Sequence, residues 1–167
     1  NFTSFRYFCN MSIHEEGYIK YNAVWKKTAT LSEVTGELMQ YRNKLHTLGL
    51  IGVLPDGIGF GNISERLIDM QTFIISGTQT GHITEATAEH FSKVTATEIG
   101  QNYLMCEGPV QASSEAMTHA AIYEASNSIT SVIHVHHTAL WQTLLNQVET
   151  IPQTITYGTP EMAHAMA

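Results

Sequence analysis

The sequence predicts an α/β fold, a single layered domain spanning residues 1–167 and built on a mostly antiparallel sheet. Three observations lead there. The chain has 167 residues, 43 % of them hydrophobic, which is the length and apolar content of one well-filled core. Segments with helical spacing and short β-rich runs alternate irregularly along it, the pattern of helices layered on a sheet. No repeat, linker or low-complexity stretch divides it.

The elements follow in order. Glu16–Tyr21 reads as a short edge strand within an otherwise mixed opening. Thr30-Leu-Ser-Glu33 has the form of a capping box, with Thr30 as N-cap and Glu33 reaching back. Leu31, Val34, Leu38, Tyr41, Leu45 and Leu48 then recur at steps of three and four, which predicts an amphipathic helix closed by Gly49. Five glycines from Gly49 to Gly61, with Pro55, mark a loop-rich stretch. Phe60–Ser64 enters a strand and Thr72–Ser76 is another, followed by a turn at Gly77–Gly81. Residues 84–97 read as a short helix or a strand pair. Ser113-Ser-Glu115 opens an Ala- and Met-rich helix to about Ala125, one that must pack closely on a neighbour. Ser131–His136 is a strand, Thr138–Gln147 a helix and Thr154–Tyr157 a strand. Thr159 and Pro160 then cap and start a last helix.

Composition narrows the function. Eight Lys plus Arg against fifteen Asp plus Glu give a net charge of -7 with no basic block, so non-specific nucleic-acid binding is disfavoured. An anionic ligand stays possible, because backbone amides can hold a phosphate without lysines. Only two cysteines, Cys9 and Cys106, are present. That fits a reducing cytoplasm better than a disulfide framework. No run of eighteen apolar residues and no signal-peptide pattern points to a membrane. The unusual number is nine histidines.

Four short segments carry candidate chemistry. On a strand, His134 and His136 share a face and can converge on one ion, and neutral imidazole suits zinc; alone, such a pair is more often two surface histidines. His137 falls on the other face or starts the next helix. Ser113, Ser114 and Glu115 are good helix-start residues in their own right. The same turn could also bind a phosphate and aim an acid at a metal, with His119 one turn further along. Gly61-Asn62 and Ser76-Gly77-Thr78 are turns whose N–H groups could hold an anion.

Together these segments are more specific than any one of them. Gly61-Asn-Ile-Ser64, Ile75-Ser-Gly-Thr78, Ala112-Ser-Ser-Glu115 and Val132-Ile-His-Val-His136, in that order and spacing, resemble the class II aldolase/adducin family over roughly residues 30–167. The resemblance implies a three-layer α/β/α domain and a zinc-dependent lyase that cleaves a small phosphorylated ketose by retro-aldol chemistry through a metal-stabilised enediolate. It makes His134 and His136 metal ligands. Glu115 becomes the acid that contacts the metal and moves the proton. Gly61 and Asn62 would hold the substrate phosphate, with Ser76, Gly77, Ser113 and Ser114 completing the pocket. A homotetramer is implied too. Epimerases and dehydratases of the family, and a non-catalytic adducin-like scaffold, are the alternatives, although glutamate at 115 leans toward aldol chemistry. The family's third metal histidine comes from a later strand that nothing here matches. His164 falls too early and on the wrong element, so the chain is expected to lack its C-terminal part. The family's tyrosine proton donor is likewise not matched by Tyr157, which reads as part of the turn.

Overall fold

The computed structural model describes residues 18–152, 154–156 and 159–167. Cys9, the start of the expected Glu16–Tyr21 strand, and Tyr157 lie outside the described residues. Among the described residues the first strand is β1 (Asn22–Lys27), later than expected. Then come α1 (Gly36–Thr47), a small hairpin of β2 (Gly52–Val53) and β3 (Gly59–Phe60), β4 (Asn62–Arg66) and β5 (Phe73–Ser76). A 3₁₀ turn at Ala88–His90 leads into β6 (Phe91–Glu98), and β7 (Tyr103–Gly108) follows. The chain continues through α2 (Ala116–Ala125), β8 (Ser131–His134), α3 (Thr138–Leu144) and α4 (Pro160–Met166).

Six strands form one sheet in the order β1-β7-β6-β5-β4-β8. The sheet is mixed. β1 runs parallel to β7, and the other four pairings are antiparallel. Its centre is β5, where four consecutive residues are buried. Phe73 and Ile75 join one apolar cluster with Leu104, Met117 and Ala120, while Ile74 joins another with Val34, Leu38 and Phe91. A strand buried on every residue is one covered on both faces. Alternation in β7 buries Leu104 and Cys106 and exposes Met105; this strand has no counterpart among the sequence expectations. The small side chains of α2 let it pack against α4, where Ala163 enters the same cluster.

The start of α1 corrects the sequence reading. Thr35, not Thr30, is the N-cap, its hydroxyl accepting the Leu38 N–H at 3.0 Å. Glu33 reaches to Lys93 at 3.0 Å instead of back to a cap. At the other end, Gly49 (φ 70) donates to His46 O and Leu50 donates to Leu45 O, the paired bonds of a Schellman closure that need a left-handed residue. The buried stripe also differs. Tyr41 is 52 % exposed, while Arg42 is 1 % exposed. No strand forms at Thr154–Thr156, which is turn and irregular chain. Thr159 and Pro160 start α4 as expected, with Thr159 Oγ1 accepting from Met162 N at 3.3 Å. Among the described residues no helix is long and apolar enough to cross a membrane.

Candidate active site

An open cleft lies where the β3–β4 junction, the Gly77–Gly81 loop, the turn before α2 and the end of β8 meet. Gly61, Asn62, Gly77, Ser113, Ser114, Glu115, His134 and His136 all line it. Segments more than 70 positions apart in the chain are therefore brought to one place. Gly61 makes the first wall possible. Its φ is +73°, and a Cβ there would sit 2.7 Å from Leu50 O, so only glycine lets the chain turn against that carbonyl.

The two histidines converge. β4 and β8 are paired so that Asn62 faces His134 across the sheet. His136 lies just beyond the strand end, with its N–H on Leu50 O at 3.3 Å. The imidazole Nε2 atoms stand 3.1 Å apart and the ring centroids 4.8 Å. Phe60 closes the far side of His136 at 5.5 Å between centroids. Burial lowers the pKa of His134 to about 4 and of His136 to about 3, so both are neutral near pH 7. Neutral imidazole is the metal-binding form. Two nitrogens bound to one tetrahedral zinc at about 2.0–2.1 Å would be roughly 3.4 Å apart. The observed separation fits two of an ion's ligands. Among the described residues no group of three His, Cys, Asp or Glu side chains is gathered for a metal. His164 is exposed on α4.

The acid and the serines line the same cleft. Glu115 is 5 % exposed, and its N–H bonds Ser113 Oγ at 3.3 Å just before α2 begins. Tyr21 OH donates to Ser113 O at 2.9 Å and tethers this turn to β1's approach. Ser76 lies behind the cleft wall, its hydroxyl accepting the Ile63 N–H at 3.2 Å. The N–H groups of Gly77 and Thr78 are already bonded, to His90 O at 2.8 Å and Gln111 O at 2.9 Å. His137 is the N-cap of α3, Nδ1 accepting from Leu140 N at 3.1 Å.

A sequence profile of the class II aldolase and adducin N-terminal domain matches residues 37–165. The chain belongs to the class II aldolase and adducin N-terminal domain family. Among solved structures, L-fuculose 1-phosphate aldolase superposes with a TM-score of 0.56 and 25 % identity, over 81 % of this chain and 68 % of that one. YgbL of Klebsiella pneumoniae, whose own activity is left open between aldolase, epimerase and decarboxylase, gives a TM-score of 0.49 at 22 % identity, over 64 % of this chain and 45 % of that one. The chain thus spans less than half the length of YgbL. A comparison with curated proteins gives no match.

Within this family member, two groups behind the cleft escaped the sequence reading. Arg42 reaches from α1 to the carbonyls of Ile83 and, at 2.6 Å, Thr80, holding the loop that walls the cleft. Its position in a helical stripe was visible, but an arginine there reads as solvated. Ser64, buried on β4, meets His119 Nδ1 and Tyr123 OH, each at 2.7 Å. His119, one turn beyond Glu115 on α2, turns its ring to β4. Burial, with His134 nearby, lowers the His119 pKa to about 3.

Proposed function

We propose that this domain is a zinc-dependent lyase that cleaves a small phosphorylated ketose by a retro-aldol reaction. The observation that carries it is the pair of Nε2 atoms 3.1 Å apart in a cleft. The only carboxylate in the cleft wall, among the described residues, is Glu115. His134 and His136 would hold the ion. A bound divalent ion supplies Lewis-acid stabilisation of charge on the substrate oxygens, which is the main energetic demand of breaking a carbon–carbon bond beside a ketone.

The chain's own residues do the rest. Glu115 takes the proton from the hydroxyl that becomes the aldehyde oxygen. As the bond breaks, its electron pair moves toward the ketone oxygen, and Glu115 returns the proton to the carbon that lost its partner. Burial of Glu115 keeps water from competing for that proton. The Ser113 and Ser114 hydroxyls grip the phosphate, with Gly61 and Gly77 leaving room for it in front of Ser76, and give binding energy away from the reacting carbons. A homotetramer and a cytoplasmic location belong to the same reading, through likeness to the family.

Metal content and product analysis test it. Purified protein should carry about one divalent ion per chain, and His134→Ala should lose it. Glu115→Gln should keep the ion while aldehyde release falls roughly 10²–10⁴-fold. Equal loss of metal and activity in Glu115→Gln would count against the proton role. Stereochemical inversion without cleavage would make the protein an epimerase, and loss of water a dehydratase. Absence of both metal and turnover would leave a scaffold.

A further inference from the structure

Strand β1 lies ahead of the part of the chain that the family profile matches, which begins at residue 37. As an edge strand it buries little of itself, since five of its six residues are exposed. Its hold on the sheet is the parallel ladder to β7, from Asn22 opposite Tyr103 to Lys27 opposite Gly108. Side chains and flanking residues pin both ends. Asn22 N–H donates to Asn102 O at 2.7 Å, and Asn102 Nδ2 donates to Lys20 O at 3.0 Å. Trp25 Nε1–H and Thr28 N–H both donate to Gly108 O at 3.1 Å.

What this segment carries inward is Tyr21. It is 6 % exposed, in the apolar cluster with Phe73, Leu104 and Ala116. Its hydroxyl donates to Ser113 O at 2.9 Å, with Ala112 O beside it at 3.2 Å. A proton shared between two successive carbonyls favours one setting of both peptide planes, because a hydrogen-bonded proton prefers the plane of the carbonyl. The turn lacks a local hold of that kind, since α2 starts at Glu115 with no side-chain cap. Ser113 O also takes the Ala116 N–H at 2.9 Å, so the direction of that carbonyl sets the first turn of the helix. The same segment is joined to the cleft loop by the Gly77–Ala112 bridge and by Thr78 N–H on Gln111 O. Ser113, Ser114 and Glu115 thus follow a stretch of chain held by a cleft wall and by a tyrosine.

We propose that Tyr21 is a positioning residue of the cleft: from a segment ahead of the family-matched residues, its hydroxyl orients the Ser113–Glu115 turn and so places the serine hydroxyls and the acid. This rests on those residues binding the phosphate and moving the proton. Tyr21 is not itself part of the cleft wall. It acts through the backbone, where a displacement of about 1 Å can cost about 10²-fold in rate.

Two variants test it, with inorganic phosphate and Zn²⁺ as the probes. Tyr21→Phe keeps the ring and removes the hydroxyl. Amide hydrogen exchange at Glu115 and Ala116, read by NMR on the folded protein, should then quicken roughly 3–10-fold, the weight of one hydrogen bond. The phosphate dissociation constant should rise by about the same factor. Zinc affinity should not change, and KM should rise more than kcat falls. Trp25→Phe removes a bond that the same strand makes to Gly108 O, not to the turn, so it should leave exchange at the turn and phosphate binding as they are. If Trp25→Phe loosens the turn as much as Tyr21→Phe does, the strand and not its tyrosine holds the turn, and the proposal falls. It falls equally if Tyr21→Phe changes neither exchange nor phosphate binding. Should Tyr21→Phe fail to fold, a fluorotyrosine incorporated at position 21, a stronger donor of nearly the same shape, should slow exchange at Glu115 and Ala116; no change there would overturn the proposal. Failure of the lyase reading looks different: wild type would bind neither probe, while exchange at the turn would still answer to Tyr21.

Discussion

Below the cleft, three buried side chains share one oxygen. Ser64 is fully buried between His119 and Tyr123, and the Arg66 guanidinium lies 4.8 Å over the Tyr123 ring. Desolvation keeps His119 neutral with a pKa of about 3 and pushes the Tyr123 hydroxyl upward. An unfolded histidine titrates near 6.5. Between those values the unfolded chain binds the extra proton, so stability is complete above about pH 6.5 and falls as pH drops toward 3. His134 and His136, lowered to about 4 and 3, act in the same direction. Glu33 and Asp69, held below the usual carboxylate range by Lys93 and Thr72 respectively, act with the same sign but only at lower pH. Urea unfolding at pH 7, 6 and 5 should therefore show a steady loss, at most about 1.4 kcal/mol per pH unit for each histidine. His119→Leu should flatten part of that slope. Constant stability over the window would contradict the burial argument. At Gly61, substitution by Ala meets both the positive φ and Leu50 O, and should cost about 1–3 kcal/mol in the same assay.

Helix α1 shows what an element's neighbours can do to its pattern. The apolar spacing was right for Leu38 and misleading for Tyr41, because the position that faces inward is Arg42. Its guanidinium is stable there because it finds the carbonyls of Thr80 and Ile83, with the Asn43 carboxamide also within 3.4 Å. Replacing Arg42 with Met keeps the stem and removes the guanidinium's bonds to those carbonyls. It should cost about 2–4 kcal/mol, and it should loosen the Gly77–Gly81 wall, raising KM more than it lowers kcat. Arg42→Lys should rescue little, since a point-like ammonium cannot span two carbonyls as a planar fork does. Full rescue by Lys would show that charge alone matters. The cap of α1 carries the same lesson. Glu33, expected to reach back to Thr30, pairs with Lys93, and Thr35 caps the helix.

At the scale of the molecule, the cleft exists only because β4 lies between β5 and β8. That order sets the glycine turn beside the histidines and leaves the start of α2 facing both. A ligand gripped by these separate segments should hold them together. On the metal reading, zinc at about a hundred times its dissociation constant should stabilise the fold by about 2.7 kcal/mol, or roughly 5–10 °C in Tm for a chain of this size. Differential scanning calorimetry with and without chelator reads this directly. Addition of zinc without any shift in Tm would argue that these segments share no ion.

Local chemistry was written in the chain. His134 and His136 two apart, the Gly61-Asn62 turn and the Thr159-Pro160 helix start are set by spacing and cap chemistry, which act over a few residues; α2, by contrast, starts at Glu115 with no side-chain cap. The family, too, was legible from four such segments in order. What needed the tertiary structure was everything set by contacts distant in sequence: the parallel β1–β7 edge, strand β7 itself, the inward turn of Arg42, and the N–H groups of Gly77 and Thr78 already bonded to carbonyls elsewhere. A hydrogen bond between residues 62 and 134 leaves no periodic trace in either segment. Only the pairing of their strands could decide that Asn62 faces His134, because register is a property of two chains laid side by side.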